Sequence, residues 1–264
     1  MKIYVVCDLE GICGVVEHKK QCWKDGEFFS QARRLATLEL NALVDGAIEG
    51  GATEVVAWDG HCNFPGGFDI ELLHPKCKLI MEASNGGPVG LDSSFDAVYL
   101  LGLHAMAGTP NAVLCHSFMR NIQACWLNGR KVGEIEMNFA VAGQFGIPAV
   151  FISGDRAAVE EAKKIIPEIE SVVVKEGLSP DVKGLSSAPT VCLSPQKARE
   201  LIRESAKNAI SKINIIKPYF VDKPYTLRTQ FTEPRYADEY MNTRNSKRID
   251  STSIEVVGND LLQM

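Results

Sequence analysis

Apolar, β-favouring runs that each stop at an acid or a histidine, with helix-forming stretches between most of them, constrain this chain more than any other feature of it. The first run, Lys2-Ile3-Tyr4-Val5-Val6-Cys7, leads directly into Asp8-Leu9-Glu10-Gly11. With a side-chain period of two, Asp8 and Glu10 share one face of the strand end and Leu9 takes the other. Residues 53–58 form a second run that stops at Asp59-Gly60-His61, and residues 95–103 a third that stops at His104. Between the first two, Phe29, Ala32, Ala36, Leu40, Leu43 and Ala47 recur at helical spacing, and Gly50-Gly51 closes that helix. Strands alternating with helices predict an α/β fold with a largely parallel sheet flanked by helices.

The rest of the chain extends this pattern and then departs from it. Asn128-Gly129 between two short β-favouring runs is a strong hairpin signal. A helix is expected over 134–144, a strand over 148–153, and a helix over 156–166 with Asp155 as its cap. Residues 112–118 form a shorter apolar run that contains His116. Beyond Val174 the texture loosens: Ser179-Pro180, Gly184 and Ser186-Ser187 mark a linker, and Ser194-Pro195 opens a helix reaching about Lys212. Strand-like runs at 225–231 and 253–257 among Pro218, Pro224 and Pro234 suggest a smaller α+β part, and Leu261-Leu262-Gln263-Met264 reads as helix. The expected division is therefore a catalytic α/β unit over 1–190 and a C-terminal α+β part over 191–264.

Composition narrows the function. A chain of 264 residues, 45% hydrophobic and 23% charged, supports a sizeable core. A net charge of −5, a pI near 5.6 and the lack of any long basic run argue against a nucleic-acid partner. No apolar stretch approaches a membrane span, and no charged-then-apolar leader precedes the first strand, so a cytoplasmic protein is expected. Eight cysteines without C-x-x-C spacing fit reduced thiols.

In open α/β sheets ligands bind beyond the carboxyl ends of the strands. Asp8 with Glu10, His61 and His104 all stand at such ends, which makes a metal site the economical reading of a costly pair of like charges. The alternative is a solvated strand end with two chance acids. Glu134, opening a helix after Gly133, is either a site residue or a first-turn acid favoured by the helix dipole. His18, in Glu17-His18-Lys19-Lys20, and His74, before Pro75, are assigned hydrogen-bonded or surface roles. Cys62 and Cys115, beside site histidines, are assigned to packing and Arg120 to the surface. Gly86-Gly87-Pro88-Val89-Gly90 lacks the lysine and helix start of a phosphate loop and is read as a turn.

Asp8-Leu-Glu-Gly11, Asp59-Gly-His61, Gly102-Leu-His104-Ala, His116-Ser117 and Val132-Gly-Glu134, in this order and spacing, resemble the bacterial zinc D-aminopeptidase family found with dipeptide transport. The Gly154-Asp-Arg-Ala-Ala158 and Cys192-Leu-Ser-Pro195 stretches match as well. The family often has serine where this chain has Gly60, and the C-terminal part matches more loosely. The resemblance implies a two-zinc site in which Asp8 bridges both ions, Glu10 binds one, and His61, His104 and Glu134 bind the other. It further implies His116 as the catalytic residue, short peptide substrates opened at a D-configured N-terminal residue, and a homodecamer of stacked pentameric rings with the active sites facing an internal chamber.

Chemistry is consistent with that set. Two ions roughly 3.5–4 Å apart need a bridging carboxylate and can polarise a peptide carbonyl while activating water. Mixed Asp, Glu and His ligation suits zinc, with Mn2+ or Co2+ as substitutes. His116 then remains for proton transfer or, less readily, nucleophilic attack. A two-metal phosphoesterase or nuclease and a non-catalytic metal-dependent binding protein are the alternatives.

Overall fold

The computed structural model describes residues 1–61, 64–82, 87–241 and 245–264. Its strands, in chain order, are β1 (Lys2–Cys7), β2 (Glu54–Asp59), β3 (Cys77–Ile80), β4 (Ala97–Leu103), β5 (Ile122–Leu127), β6 (Arg130–Val132), β7 (Ala149–Asp155), β8 (Glu170–Gly177), β9 (Thr190–Cys192), β10 (Tyr225–Phe231), β11 (Lys247–Arg248) and β12 (Ser253–Gly258). The helices are α1 (His18–Gln21), α2 (Phe29–Glu49), α3 (Glu134–Gln144), α4 (Arg156–Ile165), α5 (Pro195–Ala209) and α6 (Pro234–Tyr240). Seven strands form one sheet in the order β3-β2-β1-β4-β7-β8-β9, parallel except for β9. The other five form an antiparallel sheet, β11-β12-β10-β5-β6.

The parallel sheet is covered on both faces, which is why its strands are continuously apolar rather than alternating. Ile3 to Cys7 and Ala97 to Leu103 are buried throughout. Helix α2 packs on α5 and α3 on α4, each pair against the sheet. At the α2–α5 crossing, a Cβ on Gly46 would lie 2.0 Å from the Arg203 carbonyl, so only glycine permits that approach. Tyr99 on β4 donates its hydroxyl to the α5 carbonyl of Ala206 at 2.9 Å.

Local signals read from the sequence reappear in the fold. Asn128 and Gly129 sit at φ 49° and 80°, the left-handed pair of a tight hairpin between β5 and β6. Asp155 caps α4 by accepting from the Ala158 amide, and Ser194 caps α5 by accepting from Lys197. Other expectations change. The looser texture sets in later than Val174: β8 runs on to Gly177 and pairs with β9, and the linker expected across Ser179 to Ser187 is the irregular stretch between them; Lys175, a charge after an apolar run, obscured the end of that strand. Strand β3 and helix α6 are short and were not expected, the apolar run over 112–118 forms a loop that is buried except at His116 and Phe118, and the final segment is a single 3-10 turn over Leu261–Gln263. Sheet membership does not follow a division at residue 190: β5 and β6 pair with the C-terminal strands, and α5 covers the parallel sheet. Cys62 and Gly86 lie outside the described residues; Pro88 to Leu91 form a turn. No helix among the described residues is long and apolar enough to cross a membrane.

Strand order reverses between β1 and β4, and the crevice at that switch point is where the carboxyl ends part. Asp8 follows β1, His61 lies two residues past β2, and His104 follows β4. All three therefore emerge on the same edge.

Candidate metal centre

Two glycines bring the β1 and β4 exits together. Gly102, at φ 72°, lies so close to the Asp8 carbonyl that a Cβ would be 2.3 Å from it, and Gly11 donates to the Gly102 carbonyl at 2.7 Å. Asp8 and His104 consequently face each other in a buried crevice.

Asp8 divides its carboxylate between two clusters. Its Oδ1 lies 3.3 Å from His61 Nδ1, which is also 3.0 Å from Glu10 Oε2. Its Oδ2 lies 3.2 Å from His104 Nε2, which is 3.4 Å from Glu134 Oε1. The donor atoms of Asp8, Glu10 and His61 fall within 4.8 Å of one another, as do those of His104, His116 and Glu134. The sequence-based expectation grouped His61 with His104 and Glu134; the geometry puts His61 with Glu10.

Backbone carbonyls set the proton on three of the imidazoles. His61 Nε2 faces the Cys22 carbonyl at 2.8 Å, His104 Nδ1 the Ala105 carbonyl at 3.0 Å, and His116 Nδ1 the Leu114 carbonyl at 2.9 Å. A nitrogen against a carbonyl must carry its hydrogen there, so the other nitrogen is left with a lone pair in the neutral ring. For His61 and His104 those lone pairs point at carboxylate oxygens, an acceptor against an acceptor. His104 Nε2 is fully buried and makes no hydrogen bond among the described residues. A proton or a cation between the groups resolves the conflict, and three carboxylates with these nitrogens form a donor set suited to a divalent ion such as zinc.

The electrostatics carry the same signature. Burial works against the charged ring of His61, yet Glu10 and Asp8 outweigh it and hold its pKa well above the ordinary value; Glu134 and Asp8 do the same for His104. Burial opposes ionisation of Glu10 and Glu134 too, but His61 and His18 lower the first and His104 the second. His116 moves the other way. Burial and the neighbouring His104, on which its ring stacks at 3.9 Å and 13°, depress its pKa.

The supports of the two clusters differ. Residues 9–15 are irregular yet almost wholly buried, so their polar backbone needs internal partners. Lys175, buried on β8, donates to the carbonyls of Glu10, Ile12 and Val15. Glu39 on α2 accepts from the Cys13 amide at 3.0 Å, and Gln21 donates to the Gly14 carbonyl and accepts from Val16 and Glu17. Asp59, whose pKa burial raises to about 6, braces the His61 turn by accepting from the His61 and Gly67 amides. On the other side, the loop around His116 places Leu114 and Phe118 in the left-handed region at φ 57° and 58°. Phe118 centres a tight turn, Met119 N to Ser117 O at 2.6 Å, and its amide donates to Glu134 Oε1 at 2.6 Å. Asp155 anchors the same loop through the Val113 amide.

Every residue singled out from the sequence as a site candidate reaches this crevice. His18, assigned a bland role, also does: its Nε2 lies 3.4 Å from Glu10 Oε1 and its side chain is 13% exposed. His74 sits elsewhere, 3.3 Å from Asp45 on α2. The Cys115 thiol is buried against the Thr109 carbonyl. Lys175, Glu39, Gln21 and Asp59 carry the site without touching its centre. Of these, Asp59 stood in the Asp59-Gly60-His61 strand end, and Lys175 showed as a charge directly after Val172-Val173-Val174.

A family model described as D-aminopeptidase matches residues 1–264. A curated D-aminopeptidase of Bacillus subtilis (strain 168) is 30% identical over 272 residues, spanning 100% of this chain and 93% of that protein. Among solved structures, the fold matches the Zn-dependent D-aminopeptidase DppA from Bacillus subtilis, described as a self-compartmentalizing protease, with a TM-score of 0.89 at 29% identity over 100% of this chain and 93% of that one.

Proposed function

The chain belongs to the D-aminopeptidase family, and from that premise we propose that it is a zinc-dependent aminopeptidase that removes a D-configured N-terminal residue from short peptides with two ions per subunit. The observation that carries this reading is the Asp8 carboxylate, whose two oxygens face separate donor clusters 3.3 and 3.2 Å away. In this proposal Asp8 is shared, Glu10 and His61 complete one half, and His104 and Glu134 complete the other. Bound ions there would polarise the scissile carbonyl and lower the pKa of water.

The chain's own residues supply the rest. His116 has Nδ1 committed to Leu114, so Nε2 carries the lone pair; its depressed pKa keeps it unprotonated near neutrality, ready to accept a proton and return it to the leaving amine. Stacking on His104 fixes the plane in which that proton moves. Self-association into a chamber, as a decamer of stacked rings, is part of the proposal; exposed Phe220 and Ile215 offer apolar surface for it. A cytoplasmic setting accords with the free thiols.

Hydrolysis of paired D-Ala-D-Ala and L-Ala-L-Ala, with zinc measured on the same sample, tests the reading. The expected result is two zinc ions per chain and preference for the D peptide. Cleavage by zinc-free protein, or preference for the L peptide, overturns it.

A further inference from the structure

His18 differs from the other three imidazoles of the crevice in where its proton must be. Its outer nitrogen, Nδ1, meets the indole Nε1 of Trp23 at 3.0 Å. An indole N–H only donates, so Nδ1 must accept, and the hydrogen of His18 stands on Nε2. That nitrogen points inward, 3.4 Å from Glu10 Oε1. The other Glu10 oxygen, Oε2, is the one that faces His61 Nδ1 at 3.0 Å. We propose that His18 is a positioning residue: locked by Trp23 as an Nε2–H donor, it ties down Glu10 Oε1 and thereby presents Oε2 to the ion shared with His61 and Asp8.

The surroundings fit a fixed donor. His18 opens α1, and Gln21 of that helix is tied to the backbone of Gly14, Val16 and Glu17, so the imidazole stands on a braced segment. Trp23 is held in turn by Arg120, whose guanidinium lies over the indole ring, 4.9 Å from its centroid. Arg120 follows His116 by four residues, so the Trp23 contact links the loop that carries His116 to the segment that orients Glu10. A role for His18 as a further ligand is opposed by its own hydrogen, since the inward nitrogen has no lone pair to offer. Hydrogen bonds to ligating carboxylates commonly tune affinity about 10–100-fold, which sets the size of the effect.

The inference rests on the reading of Asp8, Glu10 and His61 as an ion-holding half. Chelator competition at equilibrium, following each zinc ion in the full-length protein, tests it with three variants. His18→Phe keeps the ring volume without a donor and is expected to weaken one ion by roughly 10–100-fold while the other keeps its affinity. His18→Gln places an amide N–H at the same reach and is expected to restore most of that loss. Trp23→Phe frees the proton position and is expected to shift the same ion in the same direction by less. Equal affinities in wild type and His18→Phe overturn the inference alone, as does a His18→Gln protein as weak as His18→Phe. A wild-type chain that takes up no zinc overturns the ion-holding reading and this inference with it.

Discussion

The two sides of the crevice are built on opposite principles. The Asp8, Glu10 and His61 side hangs on a buried irregular segment whose backbone is satisfied by charged and amide side chains from β8, α2 and α1. The His104, His116 and Glu134 side depends on a loop with two left-handed residues, and on the start of α3, where one Glu134 oxygen accepts from the Phe118 amide. The first side gains rigidity from side chains that saturate buried backbone groups of Glu10, Ile12, Cys13, Gly14 and Val15. The second holds two bulky residues in backbone conformations that cost about 1–2 kcal/mol each. The proposed proton carrier sits on the strained side and not on the saturated one. A segment pinned by a buried ammonium suits an ion ligand that must not move, whereas a loop held in a costly conformation suits a group that must meet a substrate.

If Asp8 joins the two sides, its loss has the largest effect of any single change. Asp8→Asn is expected to release both ions and abolish measurable turnover of D-Ala-D-Ala. His116→Ala belongs to one side only and is expected to retain both ions, with turnover down by roughly a hundred- to ten-thousand-fold and little change in the Michaelis constant. Elemental analysis of the two proteins beside their kinetics makes the comparison. Two tightly held ions in Asp8→Asn end its shared role, and lost zinc in His116→Ala moves that residue among the ligands.

Much of this was legible in the sequence because strand ends are local signals. Asp8, His61 and His104 each close or closely follow an apolar run, and a parallel sheet delivers such ends to one edge whatever the connecting segments do. The hairpin at Asn128-Gly129 and the cap at Asp155 were legible for the same reason, each being specified by a few adjacent residues. His18 was not, because what brings it inward is a contact with Trp23 and a turn fixed by Gln21, neither of which has a periodicity. Glu39 lay within the helical apolar pattern of α2 as an ordinary polar interruption. Lys175 broke an apolar run that would otherwise have read as strand, so the residue that matters most to the Glu10 segment also hid the end of the strand that carries it.

Lys175→Met tests the saturated side by itself. The methionine fills much of the same volume but takes the donor from the buried Glu10 and Val15 carbonyls, while the Ile12 carbonyl keeps the Val15 amide; each loss costs roughly 1–3 kcal/mol, against which stands the relief of no longer burying an ammonium. A net loss of about 3 kcal/mol is expected, seen as a fall in melting temperature on the order of 10 °C. Zinc on the Glu10 side should weaken preferentially, with the His104 side retained. Uniform weakening of both ions, or an unchanged melting temperature, would remove the distinction between the two sides.

The smallest effect is in the pH dependence of stability, and it separates the ions from the protons they replace. In the ion-free protein, His61 and His104 have pKa values well above 6.5, since the carboxylates beside them outweigh burial. A raised histidine contributes stability fully below its unfolded value near 6.5 and loses it as pH rises through the folded value. His116, depressed by burial and by His104, has the opposite sign, costing stability as pH falls below 6.5. Glu10 and Glu134 are lowered and bear only on the range below about 4.5. Burial raises Glu39 and Glu161 to about 7 and Asp59 to about 6, and their ionisation also erodes stability as pH rises through those values. These three carboxylates, Glu39, Glu161 and Asp59, stand outside the ligand set and act in both forms. The quantity that isolates the centre is therefore the difference between the melting curves of zinc-loaded and chelator-treated protein. That difference is expected to widen from pH 6.5 upward, because ions displace protons from His61 and His104 and bind more tightly as those protons become easier to remove. A difference that stays constant or narrows between pH 6.5 and 9 would mean that the ions sit elsewhere than between these imidazoles and carboxylates.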